Sequence, residues 1–257
     1  EVIRETSLPG AILTRIASSH IRVGTFQYIA ARKKKDELKI LLDYVINRHY
    51  PNLENSRNKA IELLNIVLEK QIDLVVNWMR VGFIHGVMNT DNMSISGETI
   101  DYGPCAYMDT YDPKTVFSSI DQVGRYAYCN QPVITKWNLA RLAESLIPII
   151  DNDEDKAITK ATEIIDTFEK KYEEKWLNMM RNKLGLFGID EKDKFLILDL
   201  LTWMHEKKVD YTNTFCYLMD KINEENKNYN DKNFQTWKRR WKARLLINNN
   251  TPDKYIR

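Results

Sequence analysis

Residues 57–83 constrain this chain more than any other stretch. Ile61, Leu64, Leu68, Ile72, Val75, Val76 and Met79 recur at three- and four-residue intervals. That spacing predicts a long helix with one continuous apolar stripe, ended at Gly82. A helix of this length must be covered by other elements, and the rest of the sequence supplies helical patterns to do it. Leu38, Leu41, Leu42, Val45 and Ile46 predict a helix over 36–49 that Pro51 closes. Beyond residue 133 the pattern is helical to the end, at about 134–150, 154–184, 191–208, 211–227 and 232–247.

The head and the middle read differently. Pro9-Gly10 followed by the apolar run 11–17 predicts a short strand, and 20–29, which contains Gly24, predicts a second strand or a loop. The segment HGVMNTDNMSISGETIDYGP (85–104) is rich in Gly, Asn, Asp and Thr. Within it 93–95 and 99–100 flank Ser96-Gly97, which predicts a small hairpin with polar groups at both ends. Residues 104–132 read as irregular. The expected fold is therefore mainly α with a short β portion.

With 11% aromatic residues and six Trp in 257 residues, global disorder is excluded. No run approaches the ~18 apolar residues of a membrane span, and the first residues do not form a signal peptide. A net charge of +2 gives no overall pull toward nucleic acid or anionic lipid. TWKRRWKARLL (236–246) is basic and aromatic, but it reads as an amphipathic helix with Trp237, Trp241 and Leu245 inward. Cys105, Cys129 and Cys216 form no C-x-x-C pair, and the four His have no H-E-x-x-H spacing, so a zinc site is not expected. Cys105 reads as a small buried hydrophobe rather than a reactive thiol. No disulfide framework is expected, and the simplest compartment is the cytoplasm.

The chemistry concentrates in 85–103. Asn92 lies seven residues after His85-Gly86, and Asp101-Tyr102-Gly103 follows the expected hairpin. A carboxylate and a carboxamide at the two ends of one hairpin are hard oxygen donors, the set that Mg²⁺ takes in the phosphotransferases of the kinase superfamily. Asp101-Tyr102-Gly103 resembles the Asp-Phe-Gly metal motif of kinases. The position where small-molecule kinases carry their base is Val87, which holds no proton, and Asp91 is the nearest spare carboxylate. Asn89, Asp91 and Asn92 could instead serve only to satisfy a tight loop.

The long motifs carry a resemblance. HGVMNTDNMSI and TIDYGP, with RET-x-x-PGAILTRIASSHIRVGTFQY upstream and QVGRYAYCNQP, KWNLARLAESL and DYTNTF downstream, resemble the selenoprotein O family of YdiU-type pseudokinases over nearly the whole chain. The resemblance implies a protein-kinase-like fold. Residues 1–30 would be a remnant of the amino-lobe strands and hinge, and 31–257 a helical carboxyl lobe holding the 85–103 loop. It implies AMP transfer from ATP to Ser, Thr or Tyr hydroxyls of proteins, with Mg²⁺, or Mn²⁺ in its place, and with no nucleic acid or membrane as partner. It implies Asp91 as proton acceptor, Asn92 and Asp101 as metal ligands, and Arg15, Arg22 and Asp101 at the nucleotide.

The family's glycine-rich phosphate loop and Lys–Glu pair find no match, since Gly10 and Gly24 are the only early glycines. The chain begins at Glu1, so a fragment or processed product, inactive by itself, is the expectation. The alternative function is a pseudokinase that binds nucleotide or a partner without catalysis. Ordinary phosphotransfer is disfavoured by Val87.

Overall fold

The computed structural model describes residues 6, 9–12, 14–219 and 227–247. Its elements are mostly helices: α1 (Val23–Ala31), α2 (Lys35–His49), α3 (Lys59–Val81), α4 (Gln131–Ile150), α5 (Glu154–Asp166), α6 (Phe168–Lys183), α7 (Asp193–Lys207), α8 (Tyr211–Leu218) and α9 (Lys232–Leu246). Two short strands, β1 (Phe83–Ile84) and β2 (Ala106–Tyr107), pair antiparallel with Phe83 opposite Tyr107 and Ile84 opposite Ala106. No helix among the described residues is long and apolar enough to cross a membrane.

Helix α3 is the axis of the molecule. The Asn58 side chain caps it by accepting from the Ile61 N–H at 3.3 Å, and Gly82 ends it in the left-handed region. Leu63, Leu64, Val67, Leu68 and Ile72 are fully buried, because α4, α5 and α6 pack around this one helix. Helix α1 lies against α4 and α2. Tyr128 and Tyr211 both donate to the Met79 carbonyl, at 2.6 and 2.9 Å, and so satisfy the carboxyl end of α3 from two distant segments.

The distal end is held by charge and by indoles. Asp193, at the start of α7, is buried and accepts from Arg181 Nε and Arg244 Nε, each at 2.8 Å. Burial by itself would raise its pKa, but these two guanidinium partners outweigh burial and lower it. Trp237 and Trp241 face inward from α9, as their helical spacing predicts, and donate to the Leu196 and Leu184 carbonyls at 2.8 and 2.9 Å.

Three expectations need correction. The strand expected over 11–17 does not form: its described residues carry no regular structure, and Ile12 and Ile16 are almost fully exposed. An apolar run without a pairing partner has no ladder to join. The stretch expected as a second strand or a loop is mostly helix α1; ahead of it Arg22 is extended and bridges Ser94, and the Ile21 carbonyl accepts from the Ile95 N–H at 3.0 Å. The single helix expected over 154–184 is two, because Thr167 turns its hydroxyl onto the Ile164 carbonyl at 2.7 Å and starts a new axis. Part of the helix expected over 211–227 lies outside the described residues; the described part ends at Leu218.

Candidate active site

Two nested antiparallel contacts build the loop that carries the polar residues. The outer one is the β1–β2 pair, which encloses 85–105. The inner one is a bridge between Met93 and Thr99, where the small hairpin was expected. Gly97, at its tip, has φ +74, and a side chain there would meet Lys70 Cβ at 2.7 Å, so the tip lies directly on α3. The Trp78 indole donates to Thr99 Oγ1 at 2.9 Å, and the Tyr50 hydroxyl to the Ile95 carbonyl at 2.7 Å. A polar loop is thus pinned to α3 and to the end of α2.

His85 is the interior fastener of this loop. It is fully buried; its Nδ1 accepts from the Val87 N–H at 3.3 Å, which assigns the proton to Nε2, and Nε2 donates to the Ile100 carbonyl at 2.8 Å. Burial lowers its pKa, against the opposing pull of the Ile100 carbonyl and Asp101, so the neutral ring is the folded form. Gln131, the first residue of α4, donates to the Phe83 carbonyl at 2.9 Å and accepts from the His85 N–H at 3.0 Å. Asn138, about two turns further along α4, donates to the Met88 carbonyl at 2.8 Å.

The five expected site residues fall around this frame. Asn92 is buried and its amide nitrogen donates to the Val87 carbonyl at 2.9 Å, which leaves the side-chain oxygen as its acceptor. Asp101 sits at the other end of the hairpin with φ +59, an uncommon backbone state for a non-glycine residue. Arg15 reaches it with a guanidinium nitrogen 3.9 Å from the carboxylate and lies 5.6 Å above the Tyr102 ring. The inner bridge relates Asn92 to Asp101, and no hydrogen bond joins the two side chains among the described residues.

Asp91 follows a turn in which the Asn89 side chain accepts from the Asp91 N–H at 3.0 Å. Its own carboxylate lies against the first turn of α1. Arg22 precedes that helix, bridged to Ser94, and its Nε is buried without a hydrogen-bond partner. Such an atom is costly unless a ligand or water completes it.

Sequence reasoning passed over several residues that hold this arrangement. Glu98 accepts from the Ser18 N–H and hydroxyl, both at 2.9 Å, and from Ser96 at 2.8 Å, strapping the segment that carries Arg15 and Arg22 to the hairpin. Gln131 and Asn138 are buried amides on α4. A signal for Asn138 was present, as a polar residue in step with Ile134 and Leu142 on an apolar face. Gln131 and Glu98 carry no such signal, since the Phe83 and His85 backbone that Gln131 binds and the Ser18 that Glu98 straps are distant in sequence.

Hard oxygen donors, guanidinium groups and a spare carboxylate are the residue types that a metal-bound polyphosphate and an acceptor would require. The described residues contain no cluster of three or more His, Cys, Asp or Glu able to hold a metal alone, so a cation here would keep several waters. The chain belongs to the SelO protein adenylyltransferase family, whose family model, described as "Protein adenylyltransferase SelO", matches residues 1–255. It is 63% identical over 256 residues to the protein nucleotidyltransferase YdiU of Pelagibacter ubique, covering 100% of this chain and 53% of that relative. The YdiU proteins of Alcanivorax borkumensis and Nitrosococcus oceani are 58% and 56% identical over 247 residues, each match covering 96% of this chain and 51% and 50% of the relative. The chain spans about half the length of the curated relatives it matches.

Proposed function

We propose that this chain carries the catalytic loop of a Mg²⁺-dependent protein adenylyltransferase, built as a protein-kinase-like carboxyl lobe. The observation that carries the reading is the nested hairpin, which sets Asn92 and Asp101 at its two ends beside the strapped segment bearing Arg15 and Arg22. Asn92 Oδ1 and the Asp101 carboxylate are donors of the type Mg²⁺ prefers, and Mn²⁺ suits the same pair. The cation would supply charge neutralisation on the phosphates of ATP.

The chain's own groups do the rest. Arg22 offers its unpartnered Nε to a phosphate oxygen, and Arg15 exchanges its loose contact with Asp101 for another. Asp91 takes the proton of a protein hydroxyl as that oxygen attacks the α-phosphorus. The bond from the α-phosphorus to the oxygen bridging toward the β-phosphorus breaks, and pyrophosphate leaves. Val87 cannot act as a base, which fits AMP transfer better than phosphate transfer.

Incubation with α-labelled or γ-labelled ATP, using this chain and a polypeptide of the relatives' full length, tests the reading. AMP transfer leaves the α label on protein. Retention of the γ label instead would make the protein a phosphotransferase, and bound nucleotide with neither label retained would make it a binding pseudokinase.

A further inference from the structure

Gly24 occupies the second position of α1, where alanine is the better helix former. Its conformation is ordinary and helical, so backbone freedom gives no reason for a glycine there. Space does. A Cβ built on Gly24 would lie 2.0 Å from Asp91 Oδ1 and 3.1 Å from Asp91 Cγ, with nothing else as close. The first turn of α1 and the Asp91 carboxylate therefore occupy a gap that only a hydrogen atom fits.

The carboxylate is held against that gap from behind. The Asn89 side chain fixes the Asp91 N–H, the Asn92 N–H donates to the Asn89 carbonyl at 3.0 Å, and Val23 N–H donates to the Met93 carbonyl at 3.0 Å. The turn and the helix start are thus tied together on both sides of the contact. A methyl group at position 24 cannot be relieved by moving either backbone cheaply, so the carboxylate must turn away.

We infer that Gly24 is a positioning residue for Asp91: its missing side chain sets where the acceptor-side carboxylate rests. This rests on the proposed role of Asp91 only for its consequence in catalysis; the contact itself is testable without activity.

The experiment is a double-mutant cycle of Gly24→Ala and Asp91→Ala, read as melting temperature in this chain and as AMP transfer in a polypeptide of the relatives' full length. In the Asp91→Ala background the gap is empty, and Gly24→Ala should raise the melting temperature by about 1–3 °C through helix propensity. With Asp91 present that gain should vanish or reverse. In the transfer assay, Gly24→Ala should lower turnover at least tenfold with the KM for ATP changed less than about twofold. It should add nothing to the loss caused by Asp91→Ala. An equal melting shift in both backgrounds overturns the inference, as does wild-type turnover in Gly24→Ala. Coupled melting shifts without any AMP transfer by the wild type would leave the positioning intact and refute the proposed function instead.

Discussion

Asp101 combines a site carboxylate with a left-handed backbone, and the two demands separate cleanly by substitution. Asp101→Ala keeps the backbone strain and loses the carboxylate; Asp101→Gly loses both. The glycine variant should be the more stable of the pair by about 1 kcal/mol, measured by urea denaturation, because the half-exposed contact with Arg15 at 3.9 Å contributes little either way. In the full-length form, the proposed role of Asp101 as metal ligand predicts that both variants abolish AMP transfer and weaken nucleotide binding, since such a ligand acts in ground and transition states alike. Asp91→Ala should instead lower turnover by roughly 10²–10⁴ while ATP still binds, as loss of a general base does. Isothermal titration beside a transfer assay distinguishes the two acids, and equal effects on binding would contradict the assigned roles. His85 adds a pH dependence. Its folded pKa lies below the ordinary 6.5, so the unfolded chain binds more protons in that window. Stability should be fully present above about pH 6.5 and fall as pH drops below it. Substituting His85 by Gln should flatten this limb, leaving a smaller slope from His49, whose pKa burial also lowers.

At the scale of elements, α3 was legible because a repeated 3.6-residue pattern is written many times over in 61–79, and packing agrees with it at every turn. The hairpin was legible from Ser96-Gly97, because only certain residues accept the turn. The stretch 20–29 was not. Its apolar residues suit a strand as well as a helix, and Gly24 reads as a strand interruption when only three-dimensional contact with Asp91 explains it. The five proposed site residues stand out in the sequence as residue types, but the strap formed by Glu98 and the supports from Gln131 and Asn138 join positions up to 80 apart, which no local pattern encodes. The distal clamp makes its own prediction. Asp193 pairs with two guanidinium groups from α6 and α9 while itself buried, so removing it leaves the buried Arg244 charge with backbone carbonyls but no carboxylate. Asp193→Ala should cost about 3–5 kcal/mol in denaturant unfolding, whereas the exposed pair of Arg240 with Asp199 should be nearly silent when broken.

For the whole molecule, the relevant fact is coverage: this chain spans about half of its YdiU relatives and contains no glycine-rich phosphate loop. Its ATP affinity, measured by calorimetry with Mg²⁺, should be at least about tenfold weaker than that of a polypeptide of the relatives' full length, a difference of about 1.4 kcal/mol. Equal affinities would place the nucleotide entirely on the residues described. The same molecule also carries an optical marker of its own assembly. Trp237 and Trp241 stand one helical turn apart with ring planes 7° from parallel and centroids 6.0 Å apart, and each indole is oriented by a carbonyl on a neighbouring segment. Two chromophores so close share their excitation, and the sign and size of the resulting circular-dichroism couplet depend on their mutual angle. When α9 leaves α7 and the end of α6, the Leu196 and Leu184 carbonyls release the rings and the couplet changes, even while α9 keeps its helical backbone. Undocking of the distal end can thus be timed by light, separately from the melting of helix.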